Sequence, residues 1–306
     1  MSPAVNLEEA APQSATLGLL SINLAVLLFG LAGVLGKLSG LAAPDIVFGR
    51  VLIAGGALLG IGLLRRDGLL VRSRRDVALL VAQGVVLAIH WTAFFQSILV
   101  SSVAIALLSY STFPLFTVAI EFWGLKEKVR PAEVAGALLV LPGVALLVPS
   151  ANVANRVTLG ILWGILAGLT FAVLSVVNRR LSQRYDSRMV SAYQDGVAAL
   201  VLTPFVLTRP LPDLQPGTII VLLTLGLACT ALAHTMFIAG LRSVATPLAS
   251  LFASLEPVWG IALGVGLLGE VPTTREMIGG VIVLGALVLP VVSTITALRL
   301  PKRPIR

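Results

Sequence analysis

The chain has 306 residues, 57% of them hydrophobic and only 12% charged, with a net charge of +8. Soluble domains carry about a quarter charged residues, so this composition excludes an ordinary cytosolic globule. The excess of base sits in short connections between apolar segments, which argues for membrane orientation and against nucleic acid as a partner.

A spanning helix needs about 20 apolar residues. Ten segments meet that, at 17–36, 46–64, 77–97, 103–123, 132–148, 158–178, 188–207, 217–240, 246–268 and 275–297. Residues 1–16, with Pro3, Glu8, Glu9 and Pro12, read as a disordered cytoplasmic tail, because a secretory signal would begin with positive charge. Residues 298–306 read as a basic cytoplasmic tail. The fold class expected is all-α integral membrane.

The first span carries Phe29-Gly30, Gly33 and Gly36 and ends at Lys37. Arg50 lies inside the second. His90 and Trp91 stand near the middle of the third, with Phe94 and Phe95 one turn on. The fourth contains Ser109-Tyr110-Ser111-Thr112 just before Pro114. A proline has no amide hydrogen, so Pro114 takes the helical partner from the carbonyl of Tyr110. Glu121 lies near the end of that span, within snorkelling reach of Lys126 and Lys128.

Gly160, Gly164 and Gly168 stripe one face of the sixth span, a signal of close helix packing, and Trp163 sits toward its outer end. The sixth span closes on Arg179. Tyr193, Gln194 and Asp195 lie partway into the seventh, with Asp195 roughly opposite Arg50. His234 is in the inner part of the eighth, together with Cys229, the only cysteine, so no internal disulfide exists. The ninth carries Ser250, Ser254, Glu256 and Pro257, and Pro257 frees the carbonyl of Ala253. Glu256 is the one acid close to a span centre. A charge there costs about 2.5–3.5 kcal/mol on insertion scales, so it is paired, wet or protonated.

The chain repeats itself once. Ser102-Val103-Ala104 recurs as Ser243-Val244-Ala245. Thr112-Phe113-Pro114-Leu115 followed by Glu127 recurs as Leu255-Glu256-Pro257-Val258 followed by Glu270. Phe29-Gly30 and Lys37 match Phe171-Ala172 and Arg179, and all offsets lie between 141 and 143. The repeats are 17–148 and 158–297. Seventeen Lys and Arg fall in alternate connections and the tail, against four opposite, which places both termini in the cytoplasm. Five spans per repeat make the second copy enter from the opposite face. The halves are therefore inverted about an axis in the membrane plane, with a cavity expected between them.

Breaks at matched midplane positions point to a binding site lined by the third, fourth, sixth, eighth and ninth spans. Its candidate substrate-binding residues are His90, Trp91, Phe95, Ser109, Tyr110, Ser111, Trp163, Ser250, Ser254 and Glu256. Lys37, Arg50, Arg179, Tyr193, Asp195 and His234 are candidates for gating or packing. A plainer reading stands beside this one. Serines can bond back to their own helix, prolines only bend it, Glu256 can cap a structural network, and aromatics near span ends form the interfacial belt. Two histidines with no neighbouring acid or cysteine make a poor metal site, and no cofactor motif occurs. An intramembrane enzyme would need an acid orienting His90 or the serines, and a Walker A run for an ATP-driven pump is absent.

The five-plus-five arrangement, Phe29-Gly30 with Lys37, Ser243-Val244-Ala245 and Leu255-Glu256-Pro257-Val258 through Gly269-Glu270 resemble the EamA family of the drug/metabolite transporter superfamily. The first half departs from the family pattern, with Lys126-Glu127 in place of Gly-Glu and no acid in its Thr112-Phe113-Pro114. Within the family the chain is similar to YddG-type exporters of aromatic amino acids. The resemblance implies a secondary transporter or facilitator of a bacterial inner membrane, exporting small metabolites by alternating access. Neutral or aromatic amino acids are the expected substrates, and a nucleotide sugar, vitamin or drug-like cation is the alternative. The partners implied are the small-molecule substrate and the lipid bilayer. A monomer suffices for such a cavity, and the oligomeric state stays open.

Overall fold

A computed structural model describes residues 12–65, 71, 73–127, 129–150, 152–210, 212–244, 249 and 252–299. Helices α1 (Pro12–Leu38), α2 (Ala43–Arg65) and α3 (Arg74–Val100) open the chain. The fourth span is α4 (Val103–Tyr110) and α5 (Phe113–Ala119), closed by a π turn over Ile120–Gly124. After α6 (Pro131–Leu147) come α7 (Arg156–Ser182) and α8 (Ser187–Leu207). The eighth span is α9 (Pro216–Gly226), a π turn over Leu227–Leu232, and α10 (Ala233–Gly240). Last are α11 (Glu256–Leu268) and α12 (Thr274–Arg299).

Seven of these units are long and apolar enough to cross a membrane, and α6 and α11 are shorter apolar helices. Together with α12 they make the ten helices of two inverted five-helix repeats. The helix ends follow from local chemistry. Side chains of Ser73, Ser102, Asn155 and Asp186 accept from the first free amides of α3, α4, α7 and α8. Pro131 and Pro216 occupy first-turn positions where a missing amide costs nothing. For the same reason α1 begins at Pro12, so residues 12–16, expected in the tail, are helical, and α12 runs to Arg299. The start of the ninth span, including Ser250, lies outside the described residues.

The contacts between halves obey the repeat. Helix α7 packs on α3, α4 and α5, and α1, its counterpart, packs on α10 and α11. Across the dividing line α2 lies along α8, and α6 along α12. Glycines set these distances. A Cβ on Gly160, Gly164 or Gly168 would meet Ser101, Ser109 and Thr112, respectively. Gly18 is placed against Ser243 as Gly160 is against Ser101, and Gly30 lies against the backbone of Gly260.

Candidate functional site

Both expected breaks are visible as interruptions of regular helix. Helix α4 stops at Tyr110, Ser111 and Thr112 form a turn, and α5 resumes with Pro114 at its second position. In the second half Ser254 and Leu255 form the turn and α11 resumes at Glu256-Pro257. The freed Tyr110 carbonyl lies against the backbone of Gly168 on α7.

A cavity sits between the halves beside these breaks. Phe29 and Ala32 of α1, Arg50 of α2, and Leu87, His90, Trp91 and Phe94 of α3 line it. Tyr110, then Phe171, Leu174, Ser175 and Asn178 of α7, His234 and Phe237 of α10, and Glu256 complete the wall. The first and second spans thus contribute besides the five expected. The rings close on one another: Phe171 lies 5.3 Å from Tyr110, 5.6 Å from His90 and 5.5 Å from Phe237, centroid to centroid. Only about two water molecules fit between them.

The polar groups gather at Arg50, which is 1% exposed. Its Nε donates to Thr230 Oγ1 at 2.7 Å and one terminal nitrogen to the Cys229 carbonyl at 2.9 Å. Both acceptors belong to the π turn of the eighth span, where widened backbone leaves a carbonyl for an outside partner. The guanidinium stands 4.2 Å over the Trp91 ring and interacts electrostatically with Asp195 and Glu256. Tyr110 and Glu256 face the same cavity and interact electrostatically, joining the residue before one break to the residue after the other. Asp195 is fully buried behind this group. His234 Nδ1 lies 3.8 Å from its Oδ1, too far for a hydrogen bond.

His90 Nδ1 is 2.9 Å from the Ala167 carbonyl, which can only accept, so that nitrogen carries the proton. Other expected residues lie elsewhere. Ser109 donates to the carbonyls of Ile105 and Ala106, and Ser111 to Leu107, so each hydroxyl serves its own helix rather than the cavity. Phe95 is fully buried against Gly36, one helical step away from Phe94. Trp163 packs on the core, Ser254 is buried outside the cavity wall, and Tyr193 joins a cluster with Leu181 and Met189. The wall residues missed from sequence include Phe29 and Phe171, a repeat pair whose matching had already set them apart.

Lys37 pairs with Glu270, and Glu270 Oε2 also accepts from the Val103 amide at 3.0 Å. Beside it the Ser102 hydroxyl donates to Glu276 at 3.3 Å. These bonds tie α1 and α4 of one half to the α11–α12 connection and the first turn of α12 in the other. At the opposite end a second, roomier cleft is lined by Glu121, Leu125, Glu127, Val176, Arg179, Arg180 and Gln183. It has space for on the order of ten water molecules. Among the described residues no group of three or more His, Cys, Asp or Glu could hold a metal ion.

Comparison with known proteins gives a consistent result. The model of the EamA-like transporter family matches residues 16–148 and 158–292. An uncharacterized transporter of Bacillus subtilis, YxxF, is 25% identical over 276 residues, covering 88% of each chain. An uncharacterized inner membrane transporter of Salmonella typhimurium, YicL, is 24% identical across 89% of this chain and 94% of its own. A probable amino-acid metabolite efflux pump of the same organism is 24% identical, over 58% of this chain and 63% of its own. A solved crystal structure superposes with a TM-score of 0.69 at 22% identity. That superposition covers 93% of this chain and 99% of the other.

Proposed function

The chain belongs to the EamA-like transporter family, and from that premise we propose that it exports neutral amino acids with aromatic or large apolar side chains. The observation that carries this reading is the cavity's division into two kinds of wall. At one end Arg50 and Glu256 offer opposite charges, suited to the carboxylate and ammonium of a zwitterion that has shed its water. Arg50 takes the role for which the hydroxyls of Ser109 and Ser111 are badly placed. Around them Phe94, Phe171 and Phe237 offer apolar faces for a side chain. One relative, named a probable amino-acid metabolite efflux pump, supports a substrate of amino-acid type.

The space between the rings is too narrow for an amino acid, so entry requires the walls to part. This favours alternating access, with the two halves rocking about the cavity. Purified protein in liposomes tests the substrate. Saturable uptake of labelled phenylalanine is expected, with tryptophan competing and a sugar nucleotide not competing. The reverse pattern of competition overturns the amino-acid assignment.

Orientation follows from the charge distribution, with both termini cytoplasmic in a bacterial inner membrane. An impermeant thiol reagent applied from outside is expected to label Asn152→Cys, in the α6–α7 connection, and to miss Ser73→Cys, before α3. The opposite pattern overturns the orientation.

A further inference from the structure

We propose that Glu127 and Arg179 form a cytoplasmic latch, the inverted-repeat counterpart of the Lys37–Glu270 pair, and that the two latches close in alternation. The inference rests on the alternating-access reading above. Three observations carry it.

The first is position. Arg179 is the repeat mate of Lys37, 142 residues on, and Glu270 is the mate of Glu127, 143 residues on. Lys37 closes α1 as Arg179 lies in the last turn of α7.

The second is backbone geometry. Glu270 follows Gly269, which has φ +67°, and its amide donates back to the carbonyl of Gly264, six residues earlier. Glu127 follows Lys126, which has φ +55°, and its amide donates to the carbonyl of Glu121, also six residues earlier. The same left-handed helix ending therefore delivers both carboxylates. Lys126 is the only non-glycine residue with positive φ among the described residues. A side chain there costs about 1–2 kcal/mol, so the turn is kept where the repeat would place glycine.

The third is the contrast between the ends. Around Lys37 and Glu270 the halves are joined, with the acid also holding the Val103 amide at the start of α4. Around Glu127 and Arg179 the mated positions line the cleft at the other end. An acid and a base delivered to one cleft from the two halves are what its closure would bring together. The match is incomplete at one point. Val244, the mate of Val103, donates its amide to the Gly240 carbonyl at 3.0 Å, so the inner latch is an ion pair without that third bond. Gln183 and Glu121 share the cleft, and Glu121 adds a second acid facing Arg179.

Disulfide trapping tests the latch without any transported substrate. On a Cys229→Ala background, Lys37→Cys with Glu270→Cys and Glu127→Cys with Arg179→Cys are oxidised in membranes with copper phenanthroline. A third cysteine, Ser175→Cys in the cavity wall, reports access to impermeant thiol reagents. Both pairs are expected to cross-link. Locking the first should leave Ser175→Cys labelled only from the cytoplasmic side, and locking the second only from outside, each reversed by dithiothreitol. An inner pair that does not cross-link, or whose locking leaves labelling unchanged, overturns the proposal. Charge exchange gives a check independent of oxidation. Arg179→Glu alone should slow transport about tenfold, and Glu127→Arg added to it should recover most of the loss. Absence of recovery counts against the latch. If the locks behave as expected and no amino acid is carried, the substrate reading fails and the latch stands.

Discussion

Replacing Arg50 by methionine is expected to abolish transport and to lower stability by about 3–5 kcal/mol, the range for a buried charge network stripped of one partner. The loss has three sources. The Thr230 hydroxyl and Cys229 carbonyl lose their donor inside the membrane, where water does not replace it. Asp195, fully buried and without a hydrogen bond among the described residues, loses a positive neighbour. Glu256 loses its compensating charge at the cavity. Methionine fills much of the volume, so the effect reads charge and donors rather than a void. Arg50→Lys keeps the charge but not the forked donors, and an intermediate phenotype is expected. Thermal unfolding in detergent and uptake in liposomes measure both effects. Full activity in Arg50→Met would remove the guanidinium from the transport site.

The second large effect is expected from Gly164→Leu. A Cβ at Gly164 already overlaps the Ser109 hydroxyl and presses on the Ala106 carbonyl. Ser109 has little freedom to yield, because its hydroxyl is bound to the carbonyls of Ile105 and Ala106. Helix α7 must then move off α4, which carries Tyr110 to the cavity. Overpacking of this kind costs about 1–3 kcal/mol, and more where backbone has to shift. Transport should fall by about an order of magnitude or the chain should fail to accumulate. Gly56→Leu is the control, since nothing lies within 4 Å of its Cβ. Equal behaviour of the two variants would show that the glycine seam is dispensable.

The fold was legible because spanning helices announce themselves by length and hydropathy, and two prolines marked the interruptions. The site was harder to read. His90, Trp91, Tyr110 and Glu256 reach the cavity wall, but Phe95 does not while Phe94 does. Those two differ by one residue, about 100° around the helix, and an apolar span gives no polar face to set that angle. Ser109 and Ser111 misled for another reason. In a helix a hydroxyl can satisfy itself on a carbonyl one turn back, so polarity in the sequence does not require a polar surrounding. The repeat held information beyond the fold. Phe94 and Phe237 are 143 apart, Trp91 and His234 likewise, and all four meet at the cavity.

The π turn at Leu227–Leu232 has a consequence for how such a cavity changes over time. A π turn holds one residue more than the α-helical path it replaces. Loss of a single residue from it would return the span to regular helix while α9 and α10 keep their azimuths. His234 and Phe237 would stay at the wall. The Cys229 carbonyl would return to the helical ladder and release Arg50. A one-residue deletion in the middle of a span, ordinarily read as damage, would here leave the aromatic wall standing and strip the buried charge at its end of an anchor.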